Sequence, residues 1–278
     1  MNQLKRIITR NAVPLLFAIV CLLGIYFAKM PTQFLLMEVV KRLARNSFLV
    51  LSLIIPVVAG MGLNFGIVLG ALAGQIALIL STHWEWAGLG GLVLTALLAT
   101  PFAIFFGYLA GLTLNKAKGR EMITGMVMGF FANGIYQFIF LFLVGTVIPF
   151  NNAKLRISTS PGLRNTIDLK LIKGSLDNIW QIKYGFTKIP MATFGVIAVL
   201  ALAIHFFFKT KLGQDFRAIG QDRQIAQVAG IDANRNRVLA IIMSTVLAAW
   251  GQIIFLQNIG TLNTYNSHEQ VGTFAIAA

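Results

Sequence analysis

Long apolar runs separated by short polar connections make up most of this chain. A membrane-spanning helix needs roughly 20 mostly apolar residues, and an eighth apolar run, 271–278, follows seven candidates. All of them are continuously apolar, whereas the strands of a membrane β-barrel alternate and are only about 10 residues long. The pattern therefore predicts an all-α, polytopic membrane helix bundle that forms one transmembrane domain over residues 1–278. The seven candidate spans are 11–30, 47–62, 64–82, 88–115, 122–149, 190–208 and 238–259.

A helix break is predicted between the second and third spans. Pro56, Gly60, Gly62 and Asn64 interrupt what would otherwise be one apolar run from 47 to 82. Irregular backbone at membrane depth is tolerated only where it is buried in protein or lines a cavity, and broken helices are common in transporters. The break therefore favours a transport protein.

Two neighbouring patterns concern packing. Gly62, Gly66, Gly70 and Gly74 are spaced four residues apart, which lets two helices approach closely in lipid. This row indicates ordinary helix packing or, alternatively, the walls of a narrow central path. Before the second span, "MPTQFLLMEVVKRLARN" has the pattern of an amphipathic helix that lies along the membrane interface.

Composition agrees with a membrane protein and excludes several other classes. Hydrophobic residues make up 57% of the chain and charged residues 12%, against roughly a quarter charged in average proteins. The net charge of +14 resides in loops, where lipid headgroups are the expected partner, and no nucleic-acid-binding motif is present. With the N-terminus inside, 12 basic residues lie inside and 11 outside, so the usual charge bias leaves the orientation open.

The chemistry of an enzyme or an ion-coupled carrier is missing from the predicted spans. All nine acidic residues fall in loops or at helix ends, as do His83 and His268, and His205 is interpreted as structural. Ion-coupled carriers place ionisable groups within their spans, and neither a metal-ligand spacing nor a nucleotide-binding glycine loop is present. We therefore expect no enzyme activity and no cofactor in this chain, and an energy source in a partner.

One polar stretch, "GQDFRAIGQDRQIAQVAGIDANRNR" at 213–237, stands between two apolar runs. It predicts two short helices bent at Gly220 and Gly230, with Asp215 and Asp222 near the helix starts, where negative charge is favoured. Phe216, Ile219, Ile225 and Val228 are expected to form small apolar spots on this surface. The stretch is either a plain solvated loop or a surface that fits a cleft in another protein.

The residues of this stretch resemble the cytoplasmic coupling segment of the permease subunits of ABC importers for branched-chain amino acids, simple sugars and nucleosides. The motif covers "LGQDFRAIGQDRQIAQVAGID", and "GLNFGIVLGALAG" resembles the family more weakly; the loop 150–188 is not matched. Asp215 and Phe216 lie inside the motif and are assigned the same coupling role. The matching positions are Gly213, Arg217, Ala218, Gly220, Asp222, Ala226, Gly230 and Ile231.

The resemblance implies a type II ABC-importer-like fold in the inner (cytoplasmic) membrane of a prokaryote. It places the N-terminus and a coupling segment, 209–237, in the cytoplasm and the loop 150–188 outside. It also implies a second permease subunit in a homodimer or heterodimer, two ATPase subunits that bind ATP and Mg, and an external solute-binding protein. Family members continue with further apolar helices, so we expect this chain to lack the C-terminal spans. A degenerate, structural membrane subunit is the alternative.

Polar residues within the spans are candidates for the translocation path, or else helix-packing residues. Because they include no fixed charge, a neutral solute, either a simple sugar or a nucleoside, is favoured over a branched-chain amino acid. Lys170, Lys173 and Lys183 in the basic external loop are candidates for docking the binding protein. The path candidates are Asn64, Gln75, Asn133, Gln137, Trp250 and Gln252.

Overall fold

The computed structural model describes residues 11–62, 64–117, 119–149, 152, 155–157, 162–184 and 187–277. The described chain is predominantly helical, which confirms the predicted all-α bundle. The helices are α1 Ala12–Ala28, α2 Thr32–Ser52, α3 Ile54–Val58, α4 Ile67–His83, α5 Gly88–Ala117, α6 Glu121–Phe138 with a π-helical turn Ile139–Leu143, α7 Met191–Phe207, α8 Lys211–Gln221, α9 Arg223–Val228, α10 Ala233–Ile259 and α11 Gln270–Ala277.

Three described helices are long and apolar enough to cross a membrane, namely α5, α6 with its π-helical turn, and α10. The pair α7 and α8 makes a fourth if it is counted as one span bent by 77°. The helices α1 and α4 are apolar but shorter, at 17 residues each. A multi-pass membrane protein is therefore confirmed.

The predicted span 47–62 is wrong as a separate element. The helix α2 begins at Thr32 and continues to Ser52, so the amphipathic stretch and the start of that apolar run form one helix of 21 residues. Neither glycine nor proline occurs within α2, so hydropathy changes along this helix while its backbone stays regular. An ion pair one turn apart, Arg42 to Glu38 at 3.0 Å, lies on its exposed polar part.

The predicted helix break is confirmed. The short helix α3 ends at Val58 and α4 begins at Ile67. Gly60 and Gly62 adopt φ angles of +74° and +63°, which only glycine reaches without strain. Pro56 lies inside α3, and the side chain of Asn64 accepts a hydrogen bond from the Gly66 amide at 2.9 Å. We call residues 59–66 the break.

The core of the bundle is α4 packed against α5 and α10. A Cβ atom added at Gly70 would lie 2.4 Å from the Thr245 carbonyl oxygen, and one at Gly74 would lie 2.6 Å from the Ala249 carbonyl oxygen. The glycine row of α4 therefore brings the backbones of α4 and α10 together. This geometry favours the packing interpretation for Gly70 and Gly74 over walls of an open path.

Short strands organise part of the loop 150–188 and its surroundings. Antiparallel pairs form between β1 and β4 and between β2 and β3. Residues 171–179 form turns, and 181–184 form β2, which pairs with β3, since "QIKY" and "TKIP" carry β-branched and aromatic residues that favour strands. The strands are β1 Thr166–Asp168, β2 Gln181–Tyr184, β3 Thr187–Pro190 and β4 Thr261–Asn263.

Candidate functional site

The coupling segment folds as two short helices, as predicted, but the bend between them differs from expectation. Thr210 caps α8, since its hydroxyl oxygen accepts the Gly213 amide at 3.3 Å. Asp222 caps α9 as expected, accepting the amides of the two residues that follow Arg223 at 2.8 and 3.0 Å. The bend between the helices falls at Asp222, whose backbone is extended.

The expected reason for glycine at 220 is wrong. Gly220 lies within α8, and a Cβ atom there would come within 2.0 Å of the Val58 carbonyl oxygen and 3.2 Å of the Gly60 nitrogen. In return, a Cβ atom on Gly60 would lie 2.8 Å from the Gly220 Cα. Glycine is required here because the backbone of α8 touches the backbone of α3 and the break. Gly230, at φ +84°, does supply the predicted sharp turn.

The four predicted apolar spots divide into two pairs. Phe216 and Ile219 are buried against the bundle, and the ring of Phe216 meets the ring of Phe207 edge-on at 5.6 Å. Ile225 and Val228, by contrast, are 68% and 90% exposed. One face of the segment therefore packs against the membrane helices, while the other leaves the apolar side chains of Ile225 and Val228 exposed.

The remaining matched positions also fasten the segment. The guanidinium of Arg217 lies over the ring of Phe208 at 5.2 Å. A Cβ atom on Gly213 would come within 2.3 Å of the carbonyl oxygen of residue 207, so α8 approaches the end of α7 closely. Ala226 is buried, and Ala218 and Ile231 pack in the same small cluster.

Sequence analysis missed an ion pair at the base of this region. The Arg237 guanidinium donates to the Glu121 carboxylate at 2.6 Å, and both side chains are largely buried. They join the start of α10 to the start of α6. Beside them lies a cavity of about 220 Å³, also lined by Gly60, Ile219 and Arg223. A charged residue near the start of each helix was the available signal.

Three of the six path candidates meet in one hydrogen-bonded group, in which Gln75, Tyr136 and His268 are buried and Glu269 is exposed. The amide nitrogen of Gln75 donates to the Tyr136 hydroxyl at 2.8 Å and to the Thr264 carbonyl at 2.5 Å. Asn133 and Gln137 are bonded at 3.2 Å, and Asn133 also donates to Glu269. The ring of His268 lies between α4 and α6. We call this group the polar cluster; its members are Gln75, Asn133, Tyr136, Gln137, His268 and Glu269.

The other candidates lie elsewhere. Gln252 donates to the Ser267 carbonyl at 3.1 Å and so holds the same turn, 264–269, from the side of α10. Trp250 donates to the Ala96 carbonyl at 3.2 Å, which ties α10 to α5. Asn64 lies in the break and is buried. The sequence placed His268 and Glu269 in a loop or at a helix end. Only the structure shows that His268 contacts both α4 and α6 and that Glu269 contacts α6.

Two cavities adjoin the polar cluster. An apolar one of about 500 Å³ lies among α4, α5 and α6 and includes Tyr136 in its wall. A smaller one of about 170 Å³ is lined by Phe65, Phe130 and Glu269. Within the described parts of the chain, no three His, Cys, Asp or Glu side chains are arranged to hold a metal ion.

Lysines line a separate cavity of about 430 Å³ beside the β2–β3 hairpin. Two of the predicted docking residues, Lys170 and Lys173, contribute, and Lys41 of α2 and Lys188 of β3 join them. The Lys183 side chain lies outside the described residues. The wall also contains Asp177, whose two oxygens accept hydrogen bonds from Thr193 and Asn258. Four lysines beside one carboxylate give the cavity an excess of positive charge. We call it the lysine cavity.

The described chain is a multi-pass helical bundle that is broken near a buried asparagine, and the short helix α8 docks on that break. Residues 40–278 match the family model described as "Branched-chain amino acid transport system / permease component". The chain belongs to this permease family, which confirms the resemblance.

Two relatives of known description come from Lactococcus lactis subsp. cremoris (strain MG1363). The chain is 26% identical over 166 residues, 58% of its own length, to the nucleoside ABC transporter permease protein NupB. It is 32% identical over 104 residues, 37% of its length, to the nucleoside ABC transporter permease protein NupC. The chain spans 42% and 33% of those relatives. No solved structure matches it.

Proposed function

We propose that this chain forms the translocation path of an ATP-driven importer for a small neutral solute, a nucleoside before a simple sugar. A branched-chain amino acid is the alternative solute. The observation that carries the proposal is the backbone contact between Gly220 of α8 and the Val58–Gly60 backbone. It joins the matched coupling motif to the break in the transmembrane bundle.

The contact gives a physical route for coupling. Because no side chain separates the two backbones at Gly220, a displacement of α8 must displace α3 and the break. The break leads directly into α4, which carries Gln75 of the polar cluster. Packed interiors transmit such shifts because they deform little. Movement of the coupling segment can therefore reach the polar cluster.

The polar cluster suits a neutral, hydroxyl-rich or amide-bearing solute. It contains amide donors and acceptors, one phenol, one imidazole and, at its exposed side, the carboxylate of Glu269, next to the phenyl ring of Phe130 in the adjoining cavity wall. Aromatic faces stack on nucleobases, and amides pair with their edges. The described relatives are named nucleoside permeases, and we therefore place nucleosides first.

The partners follow from the same arrangement. The exposed Ile225 and Val228 would contact a cytoplasmic ATPase subunit, one of two that bind ATP and Mg. The lysine cavity would receive acidic residues of an external solute-binding protein, and a second permease subunit would complete the path. This arrangement puts the N-terminus of the chain in the cytoplasm of a prokaryotic cell and the chain in its inner membrane.

Crosslinking tests the orientation and the ATPase contact. Val228→Cys should form a thiol-specific crosslink to the ATPase subunit in membranes that hold the assembled transporter. Val147→Cys is the matched control, because Val147 is 72% exposed and lies beyond the other end of the bundle. A crosslink from position 147, or none from 228, would contradict the assignment.

Uptake tests the solute. Cells that express the transporter should accumulate labelled uridine, and unlabelled nucleosides should compete better than ribose or leucine. The Gln137→Leu variant should lose uptake while the protein level stays unchanged. Competition by leucine alone would replace the nucleoside with the branched-chain alternative.

A further inference from the structure

The hydrogen-bond acceptors around the polar cluster determine how its two central amides are oriented. The Gln75 amide nitrogen faces the carbonyl oxygens of Asn263 and Thr264, at 3.2 and 2.5 Å. Carbonyl oxygens accept only, so the NH₂ group of Gln75 must point at them and its own oxygen must point away. That oxygen lies 3.0 Å from Nδ1 of His268.

The same reasoning orients Asn133. Its NH₂ group faces the carboxylate of Glu269, and its oxygen receives the Gln137 amide at 3.2 Å. Gln137 is itself oriented by the Tyr265 carbonyl at 3.4 Å. The Asn133 oxygen also lies 3.1 Å from Nε2 of His268. Both ring nitrogens of His268 therefore face oxygen atoms that can only accept.

A neutral imidazole has one N–H and one bare nitrogen. In this setting the bare nitrogen would face a carbonyl-type oxygen at about 3 Å, with two lone pairs opposed in a buried place. Buried unmatched polar contacts of this kind cost about 1–3 kcal/mol. An imidazolium, which donates from both nitrogens, satisfies Gln75 and Asn133 together.

We propose that His268 binds a proton and is held as an imidazolium, which fastens the turn 264–269 to α4 and α6. The counter-charge is the Glu269 carboxylate, which reaches the ring through Asn133. The other titratable groups near the ring are phenols: Tyr136 on α6, whose ring is edge-on at 5.2 Å, and Tyr265 in the turn. Glu269 is the only acid that bonds within the described part of the cluster.

Burial of the ring acts against the proton. Burial lowers the pKa of His268, in the connection between β4 and α11, to about 4. Two acceptor oxygens at 3.0 and 3.1 Å and the nearby carboxylate favour the charged form and offset this effect. Both amides are oriented by independent backbone and carboxylate groups, so neither can turn its NH₂ group toward the ring. The pair His268 and Glu269 is then neutral overall, as a path for a neutral solute requires. This last link rests on the proposed function, whereas the proton itself does not.

Nitrogen NMR of the purified chain labelled at histidine tests the proposal directly. The protein has three histidines, so the His83→Gln and His205→Gln variants assign the His268 signals. At pH 7 both His268 nitrogens should show the shifts of a protonated ring. Replacing the counter-charge, Glu269→Gln, should lower the titration midpoint of the ring by about one pH unit or more, whereas the exposed-site variant His205→Gln should leave it unchanged.

A second variant guards against mere loss of structure. Glu269→Asp keeps the carboxylate, so the midpoint should stay near that of the unaltered protein, unlike the midpoint of Glu269→Gln. A neutral ring at pH 6 in the unaltered protein, or equal midpoints in the two variants, would overturn the proposal. Because the spectra need no transport, loss of uptake in the cell assay would count against the proposed function and leave this result standing.

Discussion

The most informative substitution is Gly220→Ala, which adds a single carbon at the contact between α8 and the break. That Cβ atom would lie 2.0 Å from the Val58 oxygen, although Cβ atoms essentially never approach another heavy atom within 3.0 Å. The two backbones must therefore separate by about 1 Å. Overpacking of this kind costs typically 1–3 kcal/mol, and each 1.4 kcal/mol changes an equilibrium about tenfold.

The expected result is uncoupling. Misplacing α8 by about 1 Å should reduce solute-stimulated ATP hydrolysis of the reconstituted transporter by about tenfold or more, with basal hydrolysis largely kept. Gly195→Ala in α7 is the matched control, since a Cβ atom there meets nothing within 4 Å. Gly230→Ala separates strain from contact, because position 230 has open space but a positive φ angle. If Gly220→Ala hydrolyses ATP and takes up solute as well as Gly195→Ala does, the coupling route through the break is refuted.

Three further experiments test packing, charge and docking. Gly74→Ala forces α4 from α10, and the thermal unfolding midpoint of the purified chain should fall by several degrees; an unchanged midpoint would contradict the close packing. Arg237→Ala leaves Glu121 buried without its partner and should destabilise the protein by about 3–5 kcal/mol in chemical unfolding. Adding Glu121→Gln should recover part of that loss. Reversing Lys170 and Lys173 to Glu should weaken binding of the solute-binding protein to the detergent-solubilised transporter, as should added salt, and indifference to both would exclude lysine docking.

Long apolar runs were sufficient to predict most of the helices, because a backbone in lipid must satisfy its own hydrogen bonds. It failed at residue 47, where a polar helix becomes apolar without a change of backbone. Hydropathy reports the surroundings of a helix and not its ends. Glycine and proline predicted the break correctly, since Gly60 and Gly62 require left-handed backbone there.

The candidate site was harder to predict because it depends on contacts between distant residues. Gln75, Asn133 and Gln137 were found as polar residues within apolar runs, and the structure brings them together. Their partner His268 is 193 residues from Gln75 in the chain, and no local pattern reveals that distance. Gly220 illustrates the same limit. The motif indicated that glycine is needed at this position, but the physical cause is the close approach of the Val58 carbonyl oxygen in α3, which is distant in the chain.

The pairing of β1 with β4 has a consequence for the order of events during synthesis. Thr166 pairs with Asn263, so the partner strand of β1 is translated about a hundred residues later, after four helices. At about 5–20 residues per second, β1 waits roughly 5–20 s with an unpaired edge. Until the ribosome has delivered α10 to the bilayer, this stretch of the loop 150–188 has no strand to pair with. The β1–β4 pair therefore forms only after α10 has been made, and slow insertion of α10 would leave an open strand edge exposed to proteases.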